Sequence, residues 1–298
     1  MAPAPPDSSQ QVFRFAPSPN GRLHLGHALS ALTNEALAQR FAGRLLLRIE
    51  DIDLMRCRPE FVGGIETDLD WLGIRFEPGV RKQSAHFDDY AAALASLRRH
   101  GLIYPCFCSR QEIRNAVAER QAATGQPWPV DPDGAPLYPG SCKGLDPDEA
   151  ARRSATGKPH VLRLDMTAAI AAAGRSLAYT VFDAEDARHV VQTAPERWGD
   201  VVLARKDVPT SYHLAVTVDD ALQGVTHVVR GRDLEAATDV HVLLQRLLGL
   251  PTPLYHFHRL LLDNDGQKLA KSRDSQSLAA LRAGSVTAAE IRRQLGFA

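Results

Sequence analysis

The chain has 298 residues, 44% of them apolar and 23% charged, with 35 basic and 35 acidic side chains in formal balance. That length suits one large α/β domain or two modest ones. Zero net charge excludes a protein that coats nucleic acid non-specifically, because such binding neutralises many phosphates. It leaves room for an RNA partner gripped through one local patch. Arg98-Arg99, Arg152-Arg153 and Arg292-Arg293 are basic pairs able to contribute, or equally solvated helix faces. No run approaches the ~18 apolar residues of a membrane span. The opening MAPAPPDSSQ has neither the basic nor the apolar region of a secretory signal. Four cysteines are too few for a disulfide scaffold. A cytoplasmic protein without a membrane partner is expected, with residues 1–11 as a disordered lead-in.

Val12 to Phe15 is a short β-favouring stretch that runs into the turn-rich segment PSPNGRLHLGH. Leu25, Leu29, Leu32 and Ala36 then recur at helical spacing. Gly43 is a stop signal, and Leu45 to Ile49 reads as a buried strand ending in Glu50-Asp51-Ile52-Asp53. Strand, loop, helix, strand is half of a nucleotide-binding α/β unit, with its loop where ligands bind. A second helix is expected from Pro59, with Phe61, Ile65, Leu69 and Leu72 inward and Gly73 past its end.

The character changes over residues 104–198, which hold every cysteine but Cys57, a Pro/Gly-rich stretch and an alanine-rich segment. This span reads as an inserted subdomain between the two halves of a catalytic domain, residues 12–103 and 199–272. In the second half, Val201 to Ala204, His213 to Val218 and Val225 to Val229 look like strands. A helix carrying Val240, Leu243, Leu244 and Leu247 follows, then a strand around Phe257 to Leu262. Residues 273–298 form a short helical C-terminal segment.

Chemistry concentrates at two loops. In His24-Leu25-Gly26-His27, two imidazoles project from one side of a helix's first turn. That end has unpaired N–H groups and partial positive charge, which suits a phosphate. Gly26 lets a nucleotide approach the backbone closely. Lys268-Leu269-Ala270-Lys271-Ser272 follows the turn-forming run Asp263 to Gly266. Two lysines three apart can fold over a triphosphate and neutralise charge developing on pyrophosphate. Paired, the two segments make an ATP clamp.

PSPNGRLHLGH and KLAKS resemble the HIGH and KMSKS signatures of class I aminoacyl-tRNA synthetases, most closely the glutamyl and glutaminyl branch. RFAPSPNGRLHLGH, LRIEDID, WLGI, GDVVLARKDVPTSYHLAVTVDD, VVRGRDL and DGQKLAKS match that branch in order, from Phe13 to Ser272. The resemblance implies a Rossmann-like catalytic domain that uses ATP, with Mg²⁺, and L-glutamate. His24, His27, Lys268 and Lys271 would be catalytic, with His24, His27 and Lys271 on ATP. Arg14, Phe15, Ala16, Pro17, Ser18, Glu50, Tyr212 and Arg230 would bind glutamate. Arg14 and Arg230 would hold the carboxylate, since the guanidinium fork pairs bidentately with carboxylates and poorly with amides. Glu50 would face the ammonium and Tyr212 would close the pocket. The other reading of Arg230 is an ion pair with Asp233. Leu25 and Ala270 depart from the signatures without removing a charge.

Cys106-Phe107-Cys108 and, further on, Tyr138-Pro139-Gly140-Ser141-Cys142 form a third constellation. Three thiolates can bind Zn²⁺ tetrahedrally with a fourth ligand; the residues alone leave that ligand to a histidine or a water. The Tyr-x-x-x-Cys spacing resembles the zinc site of one subgroup, the glutamyl-Q tRNA(Asp) synthetases, which implies Tyr138 as the fourth ligand of a structural zinc, one per chain. Only 26 residues follow Ser272, too few for an anticodon-binding domain. The resemblance is therefore to a truncated paralogue that transfers glutamate to queuosine in the anticodon loop of tRNA(Asp), as a monomer. The alternatives are a glutamyl-tRNA synthetase core acting at the tRNA 3′ end and a non-catalytic, zinc-containing tRNA-binding module.

Overall fold

A computed structural model describes residues 10–174, 176–262 and 276–297. In chain order the strands and helices are β1 (Val12–Phe15), α1 (Leu25–Arg40), β2 (Arg44–Ile49), α2 (Pro59–Trp71), β3 (Arg81–Lys82), α3 (Phe87–Arg99), β4 (Ile103–Cys106), α4 (Arg110–Thr124), α5 (Pro147–Ala155) and β5 (Val161–Leu164). They continue as α6 (Met166–Ala173), β6 (Ala178–Phe182), β7 (Arg188–Gln192), β8 (Val202–Ala204), α7 (Tyr212–Leu222), β9 (His227–Gly231), α8 (Thr238–Leu248), β10 (Leu254–His258), α9 (Leu278–Ala283) and α10 (Ala288–Leu295). Among the described residues no helix is long and apolar enough to cross a membrane.

The main sheet has the order β3-β2-β1-β9-β10-β6-β7, parallel throughout except for the β6–β7 hairpin at one edge. Helices cover both faces, as parallel sheets require. One core joins the sheet to α3, α6, α7 and α8, and the other joins it to α1, α2, α9 and α10. A second sheet, β4-β5-β8, is antiparallel. It does not follow the limit at residue 198: β6 and β7 lie before that limit yet join the main sheet, and β8 lies after it yet joins the small one.

His213 to Val218, expected as a strand, belongs to helix α7. Its β-branched valines read as β structure, but Leu214 to Asp220 are all buried, so the polar residues Thr217, Asp219 and Asp220 face the protein and not solvent. Ser211 caps it, its hydroxyl accepting from the Leu214 N–H. Strands β9 and β10 sit two or three residues from their expected starts. At the end of α1 the left-handed residue is Ala42, not Gly43. Gly43 serves close approach: a Cβ there would stand 2.8 Å from the Gln11 carbonyl oxygen.

Strand alternation explains the most consequential feature. Along β1, Phe13 and Phe15 enter one core, while Val12 enters the other and Arg14 shares its face. On neighbouring strands Arg48 and Arg230 fall on that same face, two residues beyond the partners of Arg14. Two of these arginines meet Asp219 and Asp220 of α7. Arg14 Nε donates to Asp220 at 3.0 Å, and Arg48 Nη1 to the same carboxylate at 2.7 Å. Asp219 accepts from Arg81 Nε (2.7 Å), Gln83 Nε2 (2.8 Å) and Tyr90 Oη (2.9 Å). Arg48 and Asp219 are both fully buried. Removing one member of such a set strands its partners without solvent. Asp219→Ala should therefore cost about 3–5 kcal/mol of unfolding free energy in a urea titration; a loss under about 1 kcal/mol would show that water replaces the carboxylate.

Candidate active site

The carboxyl ends of β1, β2, β9 and β10, with the tips of α1 and α7, enclose a cleft of about 720 Å³. Arg14, Phe15, Ala16, Pro17, Ser18, His24, His27, Glu50, Tyr212 and Arg230 all line it. Parallel α/β sheets place ligand crevices at this edge. Lys268 and Lys271 lie outside the described residues. The residues flanking that segment border the same site. Leu260 and Leu261 line the cleft, and Ser277 forms a β-bridge with His24 while the Leu278 N–H donates to the Leu23 carbonyl at 2.8 Å.

His24 and His27 together cap α1. His24 Nδ1 accepts from the Gly26 N–H at 3.1 Å, and His27 Nδ1 accepts from the His24 N–H at 3.2 Å. A ring nitrogen that accepts carries no proton, so each neutral ring holds its proton on Nε2. The two rings lie 3.9 Å apart at the positive end of a 16-residue helix whose first turn has no acid. Gly26 also has a role within the protein itself. A Cβ there would meet His24 Cε1 at 2.9 Å, so the glycine makes room for the imidazole that caps the helix.

Three buried arginines, two of which (Arg14 and Arg230) line the cleft, have different partners. Arg14 gives Nε and Nη2 to Asp220 and Nη1 to the Val229 carbonyl at 3.3 Å, which leaves two of its N–H donors for a ligand. Arg48 bonds Asp220, Gln223 and Glu50, the last at 3.1 Å. Arg230 is buried as well, but its partners carry no charge: Nη2 donates to Thr238 Oγ1 at 2.6 Å and Nη1 to His241 Nδ1 at 3.0 Å. Its Nε has no partner, and among the described residues no carboxylate pairs with it. Burial pushes the Glu50 carboxyl above the ordinary range, against the pull of Arg48 and Arg14. In Asp220 burial acts the same way, but Arg14 and Arg48 prevail and hold the group below it.

Sequence reasoning missed the residues behind Arg230. A guanidinium can only donate, so His241 Nδ1 accepts, its Nε2–H donates, and His213 Nδ1, 3.1 Å away, accepts in turn. Burial, then the nearby Arg230 charge, lowers both imidazoles, His213 to about 4. Also missed was His258, at the end of β10. Its Nδ1 donates to the Arg259 carbonyl at 2.9 Å, and its buried Nε2, without a partner, is an acceptor lining the cleft. The arginines on apolar strands were legible signals, whereas the histidine pair needs the fold.

Three cysteines at and near the end of β4 also converge. The sulfurs of Cys106, Cys108 and Cys142 lie within 4.8 Å of one another. Tyr138 Oη is 3.2 Å from Cys106 Sγ and 3.6 Å from Cys108 Sγ. Donors about 2.3 Å from a tetrahedral zinc stand roughly 3.8 Å apart, so the set has the right size for that ion. Arg163 lies over the Tyr138 ring, 3.9 Å from its centroid.

The lowered histidines set an acid limit on stability. His213 and His227 are held near about 4 and His241 well below its usual value, each chiefly by burial. Between the unfolded value near 6.5 and these folded values only the unfolded chain takes up the protons, so the stability is complete above about pH 6.5 and declines as pH falls. The urea midpoint should drop between pH 7 and pH 5, less steeply in His213→Gln. A flat profile would mean that these rings are solvated.

Residues 11–290 match the family model described as tRNA synthetases class I (E and Q), catalytic domain. A glutamyl-Q tRNA(Asp) synthetase of Rhodobacter capsulatus is 44% identical over 96% of this chain and 100% of its own. One from Symbiobacterium thermophilum is 39% identical over 95% of this chain and 85% of its own. Among solved structures, a glutamate tRNA ligase from Elizabethkingia meningosepticum, in complex with its amino acid, superposes with a TM-score of 0.70 at 25% identity. That match covers 89% of this chain and 52% of the ligase, so the chain spans about half the length of that enzyme. The parallel sheet, the histidine-tipped helix after its first strand and these likenesses agree: the chain belongs to the class I tRNA synthetases of the E and Q group, in the glutamyl-Q tRNA(Asp) synthetase family.

Proposed function

We propose that this enzyme activates L-glutamate with ATP, without tRNA, and transfers it to queuosine in the anticodon loop of tRNA(Asp). The observation that carries the reading is Arg230, a buried guanidinium with neutral partners and an unpartnered Nε at a cleft that Glu50 also lines. A glutamate side-chain carboxylate supplies the missing counter-charge, helped by the remaining donors of Arg14. An amide supplies none, so glutamine is disfavoured. Glu50 takes the ammonium, and Tyr212 and the Phe15–Ser18 backbone close the pocket.

The α-carboxylate oxygen attacks the α-phosphorus of ATP in line, and pyrophosphate leaves. His24 and His27 present Nε2–H donors to the phosphate oxygens at the helix tip, where such groups stabilise developing charge. Lys268 and Lys271 complete the clamp and Mg²⁺ accompanies ATP. A hydroxyl of the modified nucleoside then attacks the activated carbonyl and displaces AMP. Cys106, Cys108, Tyr138 and Cys142 would hold a zinc ion that fixes the insertion and takes no part in the reaction, since its ligands do not line the cleft.

Glutamate-dependent ATP–pyrophosphate exchange is expected without RNA, followed by labelling of queuosine-bearing tRNA(Asp) and not tRNA(Glu). Arg230→Gln should lower kcat/KM for glutamate by at least about tenfold, a loss of roughly 1.4 kcal/mol. Exchange that requires tRNA(Glu) would assign the chain to the 3′ end instead, and no exchange would retire the catalytic reading. Metal analysis should find one zinc per chain, lost in Cys106→Ser together with protease resistance of the insertion. Metal-free protein with an intact insertion would refute that site.

A further inference from the structure

We propose that a basic groove beside the active-site cleft is a track for the phosphate backbone of an RNA stem. The inference deepens the tRNA reading above and rests on it. The groove, about 920 Å³, runs between α3, the turn at Gly157–His160 and the loop after β8. Arg98, Arg99, Lys158, Arg205 and Lys206 line it against one acid, Asp207. In a chain whose charges balance overall, this is a local excess. Confined between low-dielectric walls, such an excess concentrates the field.

These cations are available where others are not. Arg152 and Arg153 both pair with Glu149, and Arg292 pairs with Glu35. Among the described residues Arg98, Arg99, Lys158 and Lys206 form no ion pair, although Lys158 lies close enough to Glu112 to lower that carboxyl slightly after its Ser109 bonds. Two arginines ending α3 also complement the helix dipole. The dipole does not explain why Lys158 and Lys206, from two other segments, face the same groove. Between the charges lie Ala91, Leu94, Ala95 and Leu162, an apolar floor on which long basic stems can rest while their heads reach phosphate.

Position gives the groove its role. Arg205 pairs with Asp53 at 3.0 Å, and Asp53 lies in the β2–α2 loop that carries Arg56 into the wall of the active-site cleft. Groove and cleft thus share a strut. A stem whose phosphates follow the groove is set in register beside the cleft. Backbone contacts of this kind fix position and carry no sequence information.

The test is the full chain carrying Arg98→Ala, Arg99→Ala and Lys206→Ala, titrated with queuosine-bearing tRNA(Asp) across a salt series. Loss of three phosphate contacts should weaken binding at low salt by at least about tenfold and flatten the log–log salt slope by about 2.7. Glutamate-dependent exchange without RNA should match the unaltered enzyme, which also shows that the variant folds. Unchanged tRNA affinity and slope would overturn the proposal. So would lost binding of polyglutamate with tRNA binding intact, which would assign the groove to an acidic polypeptide. Absence of exchange in the unaltered enzyme would sink the proposed activity instead, and the groove would still be judged on its RNA isotherm.

Discussion

The site is organised by two adjacent carboxylates on one buried helix. Asp219 and Asp220 tie α7 to arginines on β1, β2 and β3 and to Tyr90 of α3. Charges withdrawn from water cost several kcal/mol each unless every partner is in place. The cluster therefore holds as a unit, and the strand ends under the cleft are held with it. Arg14 and Arg48 enter that unit as compensated charges. Arg230, on the next strand and the same face, is excluded from it and rests on a hydroxyl and a neutral imidazole. Surplus positive charge is thereby confined to one point of the floor, which a ligand anion can address.

Neutral partners behind Arg230 serve that purpose better than a carboxylate. An acid at position 241 would bind the guanidinium more tightly but would also cancel the charge that attracts a substrate. An imidazole fixes the fork through one accepted hydrogen bond and adds no counter-charge. Its own N–H must then find an acceptor, and His213 provides one, on the helix that also carries Asp219 and Asp220. One helix thus compensates three arginines, Arg14, Arg48 and Arg81, and leaves a fourth, Arg230, uncompensated.

Local punctuation made part of this legible from the chain alone. Helix α2 has Pro59 at its start and Gly73 past its end, and α1 begins where a histidine motif meets an amphipathic repeat. The cysteine spacing marked a cluster that does converge. Other features depend on distant partners. Arg48 is a charge in a largely apolar strand whose partner, Asp220, lies 172 positions away, so the strand's own sequence does not show what the charge meets. Helix α7 is buried from Leu214 to Asp220, polar residues included, and its valines point to the wrong structure. For Arg230 the neighbour in sequence, Asp233, suggested an ion pair, but the contacts come from Thr238 and His241, three apart and so on one face of α8. Asp233 instead sits against Gly231, where a Cβ would stand 2.3 Å from its oxygen.

The helix tip shows how capping and ligand binding can occupy the same residues without conflict. Most helices begin with a serine, threonine or aspartate whose oxygen satisfies the backbone. Such a cap spends its side chain on that bond, and an aspartate would also repel phosphate. An imidazole has two nitrogens on opposite edges. His24 and His27 use Nδ1 to hold the backbone N–H groups, which fixes their tautomer, and so point an N–H donor from the other edge. Gly26 is the condition for this, since any side chain there would displace the His24 ring. The first turn of α1 therefore keeps its positive end, gains two oriented donors and adds no negative charge, which is the electrostatic profile that an anionic group leaving as pyrophosphate requires.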